Sequence, residues 1–387
     1  MYQIKLLNKI SPSGLDVFPK GQYAYSEECP APDAIVVRSA KMHDYALEPS
    51  LRAIARAGAG VNNIPIERCS EKGVVVFNTP GANANAVKEL TMTGLLLSAR
   101  KVVPAIRWLD TLKEEGEAVP ALVEKGKGKF AGPELKGKTL GVIGLGAIGV
   151  DVANTARHLG MKVYGYDPYM SVSAAWAISR EIKHAASLQE IYENCDFISL
   201  HVPLTPETRG MVNTESMNTM RAGVRILNFA RGELCVNEDL LSALEEGRIG
   251  CYVTDFPSAE LIGARGVIAI PHLGASTPES EDNCARMAAQ ELCEYLENGN
   301  IRNSVNLPNL TMERSGKVRV GVIHRNIPNM ISMIARVFSE NTINIENMTN
   351  KSRGDYAYTV VDINSELPEN LAASLEQIEG VIRVSVY

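Results

Sequence analysis

Residues 138–167 run through an apolar stretch (139–143), the turn Gly144-Leu-Gly-Ala-Ile-Gly149, a segment with apolar residues at helical spacing, Gly160, and a second apolar stretch that ends on Asp167. That order describes a strand, a tight turn, a helix and a parallel strand. In such a unit Gly144 permits the turn, Gly146 lets a pyrophosphate approach bare backbone, and Gly149 lets the helix pack closely on the sheet. The helix N-terminus then presents unpaired N–H groups and the positive end of its dipole to an anion. Ile148, Val152, Ala153, Ala156 and Leu159 recur at helical spacing, and Gly160 is placed to end the helix. A carboxylate about twenty residues past the glycines accepts ribose hydroxyls and repels a 2′-phosphate. The pattern therefore predicts NAD rather than NADP, held by Gly144, Gly146, Ala147, Ile148, Gly149 and Asp167. Three glycines at these offsets are weak evidence alone; the flanking strand, helix and acid make them specific.

A chain of 387 residues is long enough for two or three domains, each with its own core. A net charge of −6 supplies no basic stripe for nucleic acid, so an anionic substrate has to be gripped by a local arginine cluster. The first ten residues lack the pattern of a signal peptide, and no apolar run reaches membrane-spanning length. The seven cysteines are scattered with no CxxC, which predicts reduced, buried thiols, a cytoplasmic location and no metal site.

After the glycine turn, apolar runs at 197–200, 225–229, 251–254 and 267–270 alternate with helices. One helix opens at the capping box Ser187 to Glu190, one near Thr214, and one covers 237–247. This alternation predicts an α/β doubly wound parallel sheet, a Rossmann domain. The N-terminal part repeats the theme with strands at 34–37, 53–55 and 74–77. A long helix from 83 to about 108 leads out of it, kinked at Pro104. The segment 113–138, including Gly126-Lys-Gly-Lys-Phe130, reads as a solvated crossover. From 298 to 317 the composition is linker-like. Beyond it, strand 318–323, helix 328–339, strands 343–348 and 356–363, helix 368–378 and strand 381–386 spell a ferredoxin-like βαββαβ unit.

Ligands of an open parallel sheet bind outside the carboxyl ends of its strands. Four polar residues stand at or just past such ends: Arg231, Asp255, Glu260 and His272. A histidine there can carry a proton in both directions near neutral pH, and a carboxylate such as Glu260 can fix its tautomer. Arg231 offers a planar, always-charged fork suited to an α-carboxylate. Taken singly, each has a plainer role as a loop histidine, a structural ion pair or a solvated acid. Their shared sheet edge is what joins them.

The segments Asn228-Phe-Ala-Arg-Gly232, Val253-Thr-Asp-Phe-Pro257 and Pro271-His-Leu-Gly-Ala-Ser-Thr277, with Glu260 between the last two, resemble the D-2-hydroxyacid dehydrogenase family. Within it they are similar to the branch that acts on 3-phospho-D-glycerate. The resemblance implies that His272 is the general acid/base, Glu260 its partner, and Arg231 the carboxylate-binding group. Val202, Phe229, Ala230, Asp255, His272 and Gly274 would join the glycine turn in contacting NAD, and Arg38, Arg56 and Asn83 would join Arg231 at the substrate. It also implies a Rossmann domain (97–275) inserted in a flavodoxin-like substrate domain (1–96 and 276–305), and an ACT domain (317–387) whose His324, Asn326 and Asn344 bind L-serine as an effector. The implied reaction is NAD-dependent oxidation of 3-phospho-D-glycerate, the first step of L-serine biosynthesis, in a homodimer or homotetramer. A hydroxypyruvate or glyoxylate reductase and a non-catalytic NAD sensor are the alternatives. This chain departs from the family pattern at Ala59 and Val202, where hydroxyl residues are common, and at Glu233 and Asn329, where glycine is usual.

Overall fold

The computed structural model describes residues 1–368 and 370–387. Contacts divide the chain into two compact units, Met1–Asn83 with Pro278–Tyr387, and Ala84–Thr277.

The first unit holds five parallel strands, β1 (Tyr2–Leu7), β2 (Tyr23–Ser26), β3 (Ala34–Val37), β4 (Ala53–Arg56) and β5 (Val75–Asn78), in the order β2-β1-β3-β4-β5. That order is flavodoxin-like. The strands β3 to β5 are buried on both faces, which is why they read as short continuous apolar runs. The edge pair β1 and β2 went unanticipated because little of it is buried: only Ile4 in β1 and Tyr23 in β2. Helix Pro278–Asn298 packs on this sheet through Ala285, Ala288, Ala289, Leu292, Tyr295 and Leu296.

The second unit carries seven parallel strands, β6 (Thr139–Ile143), β7 (Lys162–Tyr166), β8 (Lys183–His184), β9 (Phe197–Leu200), β10 (Val224–Asn228), β11 (Ile249–Thr254) and β12 (Val267–Ala269). Their order, β12-β11-β10-β9-β6-β7-β8, is that of a doubly wound sheet with its switch point between β6 and β9. Helix Ala84–Arg100 belongs wholly to this unit, because the ring of Phe229 packs where a side chain on Gly94 would stand. The boundary therefore falls at the start of that helix rather than near residue 96. The helix also breaks at Lys101, which takes a left-handed φ of 50°, and not at Pro104. Pro104 lies in the first turn of the next helix, Val102–Asp110, where a missing N–H costs nothing. The expected solvated crossover is exposed along most of its length and folds as a small helical lobe, with helix Val119–Gly126 at its centre and the rings of Trp108 and Phe130 5.2 Å apart.

The C-terminal strands β13 (Val318–Arg325), β14 (Ile345–Arg353), β15 (Tyr356–Ile363) and β16 (Val381–Val386) form an antiparallel sheet in the order β14-β15-β13-β16, with helices Met330–Glu340 and Leu371–Glu376. This is the ferredoxin-like arrangement. The second helix is shorter than the expected 368–378, and Glu369 in that range lies outside the described residues. Val320, Val322, Val361 and Ile363 pack under the two helices, whereas Ile323, Tyr358 and Val360 join a core with Ile4, Ala53 and Tyr295 of the first unit.

Among the described residues no helix is long and apolar enough to cross a membrane. No group of three His, Cys, Asp or Glu among them could hold a metal ion.

Candidate active site

Each glycine of the turn answers to a different neighbour. Gly144, at φ 93°, donates its N–H to the Tyr166 carbonyl at 2.8 Å, and a Cβ there would stand 2.5 Å from the His201 carbonyl oxygen. At Gly149 a Cβ would come within 1.9 Å of the Gly144 oxygen, so this glycine seats the helix on the turn. Around Gly146, by contrast, nothing lies within 4 Å of an added Cβ. Its bareness serves no internal packing. Gly146 is also the N-cap of helix Ala147–His158 and supplies no side-chain cap, so the helix opens toward that space with its first N–H groups. An open approach to an uncapped helix end fits a pyrophosphate. Asp167 directly follows β7, with its carboxylate fixed by two backbone donors, Leu145 to Oδ2 and Tyr169 to Oδ1, both at 2.8 Å. Carboxylate oxygens held this way keep lone pairs for ribose hydroxyls.

The sheet edge past β10 to β12 is organised by Asn228, a fully buried residue. Its Oδ1 accepts from the N–H groups of Ala230 and Arg231, and its Nδ2 donates to the Arg231 carbonyl at 2.8 Å and to the Tyr252 hydroxyl at 3.2 Å. These bonds bend the chain after β10 and present Arg231 to solvent. The Phe229 ring is buried against the helix carrying Gly94, which leaves its backbone rather than its ring for a cofactor. Val202 abuts the glycine turn: a Cβ on Gly144 would meet its methyl at 2.9 Å.

A cavity of about 710 Å³ is lined by Asp255, Glu260 and His272, together with Arg209, Glu233 and Asn237. Asp255 is fully buried, and its Oδ2 accepts from Gly274 N at 3.3 Å. Its Oδ1 is a buried acceptor with no hydrogen bond among the described residues. Burial pushes the Asp255 carboxyl up, opposed by the positive charge of His272, the Gly274 N–H and Arg231. The His272 ring lies against Phe256, 4.8 Å between centroids. Glu260 accepts from Asn237 Nδ2 at 2.7 Å and from Ser258 Oγ at 3.3 Å. The hydrogen bond between His272 and Glu260 implied by the family resemblance is absent among the described residues; the two share the cavity wall instead.

Sequence reading passed over Asn228, Asn237 and His201. His201 follows β9 at the switch point, its Nε2 is 2.8 Å from Ser199 Oγ, and burial depresses it to about 4, so it stays neutral. The strand-end rule that selected His272 could have found it.

In the first unit Arg38 and Arg56 come together at the carboxyl ends of adjacent strands, where Val37 pairs with Arg56 and Arg56 Nε donates to the Arg38 carbonyl at 3.1 Å. Asn8 holds the loop after β3 by accepting from Ser39 N and Ala40 N. Gly58, at φ 149°, leaves the space the Arg56 guanidinium fills, since a Cβ there would stand 2.2 Å from Nη1. Arg38 Nη2 pairs with Glu281 Oε1 at 2.7 Å. Asn83 ends the first segment of this unit, in the turn before helix Ala84–Arg100.

The three expected effector ligands are not gathered within one chain. His324 is buried, with Nδ1 2.8 Å from the Arg325 carbonyl and Nε2 2.9 Å from Thr359 Oγ1. Asn326 donates to the Gly354 carbonyl, and Asn344 to Glu346. His324 pairs with Ala357 while Ile345, next to Asn344, pairs with Ile363. The two positions therefore lie six residues apart along β15, about 20 Å by strand rise. Asn329 takes the left-handed conformation, φ 70°, that glycine would supply.

Residues 93–274 match the family model described as the NAD binding domain of D-isomer specific 2-hydroxyacid dehydrogenases. A putative D-3-phosphoglycerate dehydrogenase of Schizosaccharomyces pombe is 31% identical over 348 residues, covering 83% of this chain and 70% of that protein. The chain belongs to the D-2-hydroxyacid dehydrogenase family. Its second unit is the family's NAD-binding domain, and NAD is its cofactor. The D-3-phosphoglycerate dehydrogenase of Methanocaldococcus jannaschii is 38% identical over 296 residues, 74% of this chain, but the match spans only 54% of that longer protein. The crystal structure of NAD+-bound 3-phosphoglycerate dehydrogenase from Entamoeba histolytica superposes with a TM-score of 0.60 at 28% identity, covering 80% of this chain and 99% of that one.

Proposed function

We propose that this chain oxidises 3-phospho-D-glycerate to 3-phosphohydroxypyruvate with NAD, the first step of L-serine biosynthesis. The observation that carries this reading is the pairing of Arg38 and Arg56 at one sheet edge. A plain 2-hydroxy acid needs one arginine for its carboxylate, which Arg231 can supply; two further guanidinium groups fit a phosphate. The names of the relatives support the same substrate.

Bound NAD supplies the acceptor for the hydride leaving C2. Arg231 grips the carboxylate and polarises the neighbouring C2 oxygen. His272 takes the hydroxyl proton as the carbonyl forms and passes it to solvent through the cavity it lines. Asp255, whose carboxyl already responds to the His272 charge, stabilises the imidazolium, with Glu260 on the same wall.

The test is NADH oxidation with 3-phosphohydroxypyruvate against hydroxypyruvate and glyoxylate. The phosphorylated substrate should be strongly preferred, and His272→Asn should lower kcat by about 10²–10⁴, the range of general acid/base catalysis. Full turnover in that variant would sink the assignment.

L-serine inhibition through His324, Asn326 and Asn344 is part of the proposal. Because one chain keeps His324 and Asn344 apart, an effector touching all three needs a second copy, so a homodimer is the smallest assembly that completes the site. Serine should inhibit, and Asn344→Ala should abolish inhibition while the uninhibited rate stays.

A further inference from the structure

Arg38 is already occupied. Its guanidinium is paired at 2.7 Å with Glu281, in the first turn of helix Pro278–Asn298, and both side chains keep about two-fifths of their surface exposed. Asn8 fixes the backbone from which Arg38 springs, and Arg56 is bonded to the Arg38 carbonyl, so the arginine head can exchange partners while its loop stays in place. A carboxylate thus sits on the group proposed to receive the substrate phosphate.

We propose that Glu281 is a specificity-determining counter-ion: it holds Arg38 until a dianionic phosphate displaces it, so that singly charged 2-hydroxy acids and 2-oxo acids do not claim this edge. The inference rests on the reading of Arg38 as a phosphate-binding residue. The physical argument is one of charge. A ligand reaching Arg38 must give back the attraction of a carboxylate carrying one negative charge. A phosphate ester near neutral pH carries close to two charges and three acceptor oxygens, and it exceeds that attraction. An incoming group with one charge or none gains nothing by the exchange. Because the pair is half exposed, solvent screens it, and exposed pairs of this kind are worth a factor of up to about five in an equilibrium. An interaction of this size can be displaced by every turnover and still bias selection.

The experiment compares the parent protein, Glu281→Gln and Arg38→Ala, each as the full chain with NADH, using 3-phosphohydroxypyruvate and hydroxypyruvate as substrates and inorganic phosphate as a competing anion. Glu281→Gln should lower KM for 3-phosphohydroxypyruvate about two- to fivefold and lower the inhibition constant of inorganic phosphate by a similar factor, and should lower KM for hydroxypyruvate by at least as much, so that the preference for the phosphorylated substrate narrows; a preference that widens instead overturns the specificity role. Arg38→Ala should raise KM for the phosphorylated substrate and erase the effect of a second change at Glu281. If Glu281→Gln raises that KM instead, or leaves it where it was, the counter-ion role is wrong and Glu281 merely orients Arg38 or does nothing. If Arg38→Ala leaves the KM for 3-phosphohydroxypyruvate at the parent value, the phosphate reading of the site fails, and the proposal falls with it for a different reason.

Discussion

At the scale of single residues, similar letters serve different ends, and only contact geometry separates them. Gly146 and Gly149 belong to one spaced pattern, yet a Cβ meets nothing at the first and a backbone oxygen at 1.9 Å at the second. Gly146→Ala should therefore leave thermal stability near the parent value and weaken NAD binding by about 1–2 kcal/mol, on the order of tenfold, read by NADH fluorescence titration. Gly149→Ala should cost about 1–3 kcal/mol of stability without any ligand present, read by thermal melting, as an overpacked contact does. Arg231, Asp255 and His272 were legible because a strand end is visible in sequence and a polar residue just past it stands out. Asn228 was not, because a buried amide that closes an apolar strand gives no sign of which backbone groups it serves. Four hydrogen bonds reveal it as the group that shapes the loop carrying Arg231.

Among the secondary-structure elements, strands that form continuous apolar runs were read closely from sequence, as was the edge strand β16, and short or half-polar ones were not. Strand β15 was anticipated at its observed bounds, whereas β1, β2 and β8 were missed, since β1 and β2 bury one residue each and β8 is two exposed residues. Helix Pro278–Asn298 shows what packing adds. Glu291 on that helix is buried, with Oε1 accepting from Asn303 at 2.7 Å and Oε2 lacking a hydrogen-bond partner among the described residues. Burial raises its carboxyl from 4.5 to about 8, with the Asn303 bond opposing the shift. Between those two values the folded chain keeps a proton that the unfolded chain releases, so stability falls as pH rises through that window and stays low above it. Glu291→Gln should flatten this fall by up to ~1.4 kcal/mol for each pH unit, seen by comparing urea unfolding at pH 5 and pH 8. An equal slope in parent and variant would show that the carboxyl is ionised in the folded chain.

For the molecule as a whole, the grouping of its parts decides more than their sequence order. The C-terminal sheet reads as a separate domain behind a linker, yet it shares a core with the first unit. Arg319 and Asp362 mark that junction: both are fully buried, joined at 2.6 and 2.8 Å, and a further Arg319 nitrogen donates to the Asn298 carbonyl at the end of helix Pro278–Asn298. Burial is the largest single influence and would push Asp362 up, but the Arg319 hydrogen bonds and charge together with the Ser315 N–H and hydroxyl outweigh it and hold its carboxyl below the usual range. Arg319→Ala leaves that carboxylate buried without its cation and should cost about 3–5 kcal/mol. Hydrogen exchange should then show protection lost in β13 and β15 and also in the last turn of helix Pro278–Asn298; loss confined to the C-terminal sheet would mean that it stands alone. What the sequence by itself determined is the local alphabet: the NAD-binding turn with its acid, the alternation of strands and helices, the βαββαβ order, and the polar residues at strand ends. Those follow from periodicity and backbone sterics, which act over a few residues. The tertiary structure alone decided that Asp255 is buried near His272 while Glu260 bonds to Asn237, that Glu281 holds Arg38, that His324 and Asn344 lie apart, and that the C-terminal sheet shares a core with the first unit. Each of these is a contact between distant segments, and its existence depends on burial and geometry that no local pattern encodes.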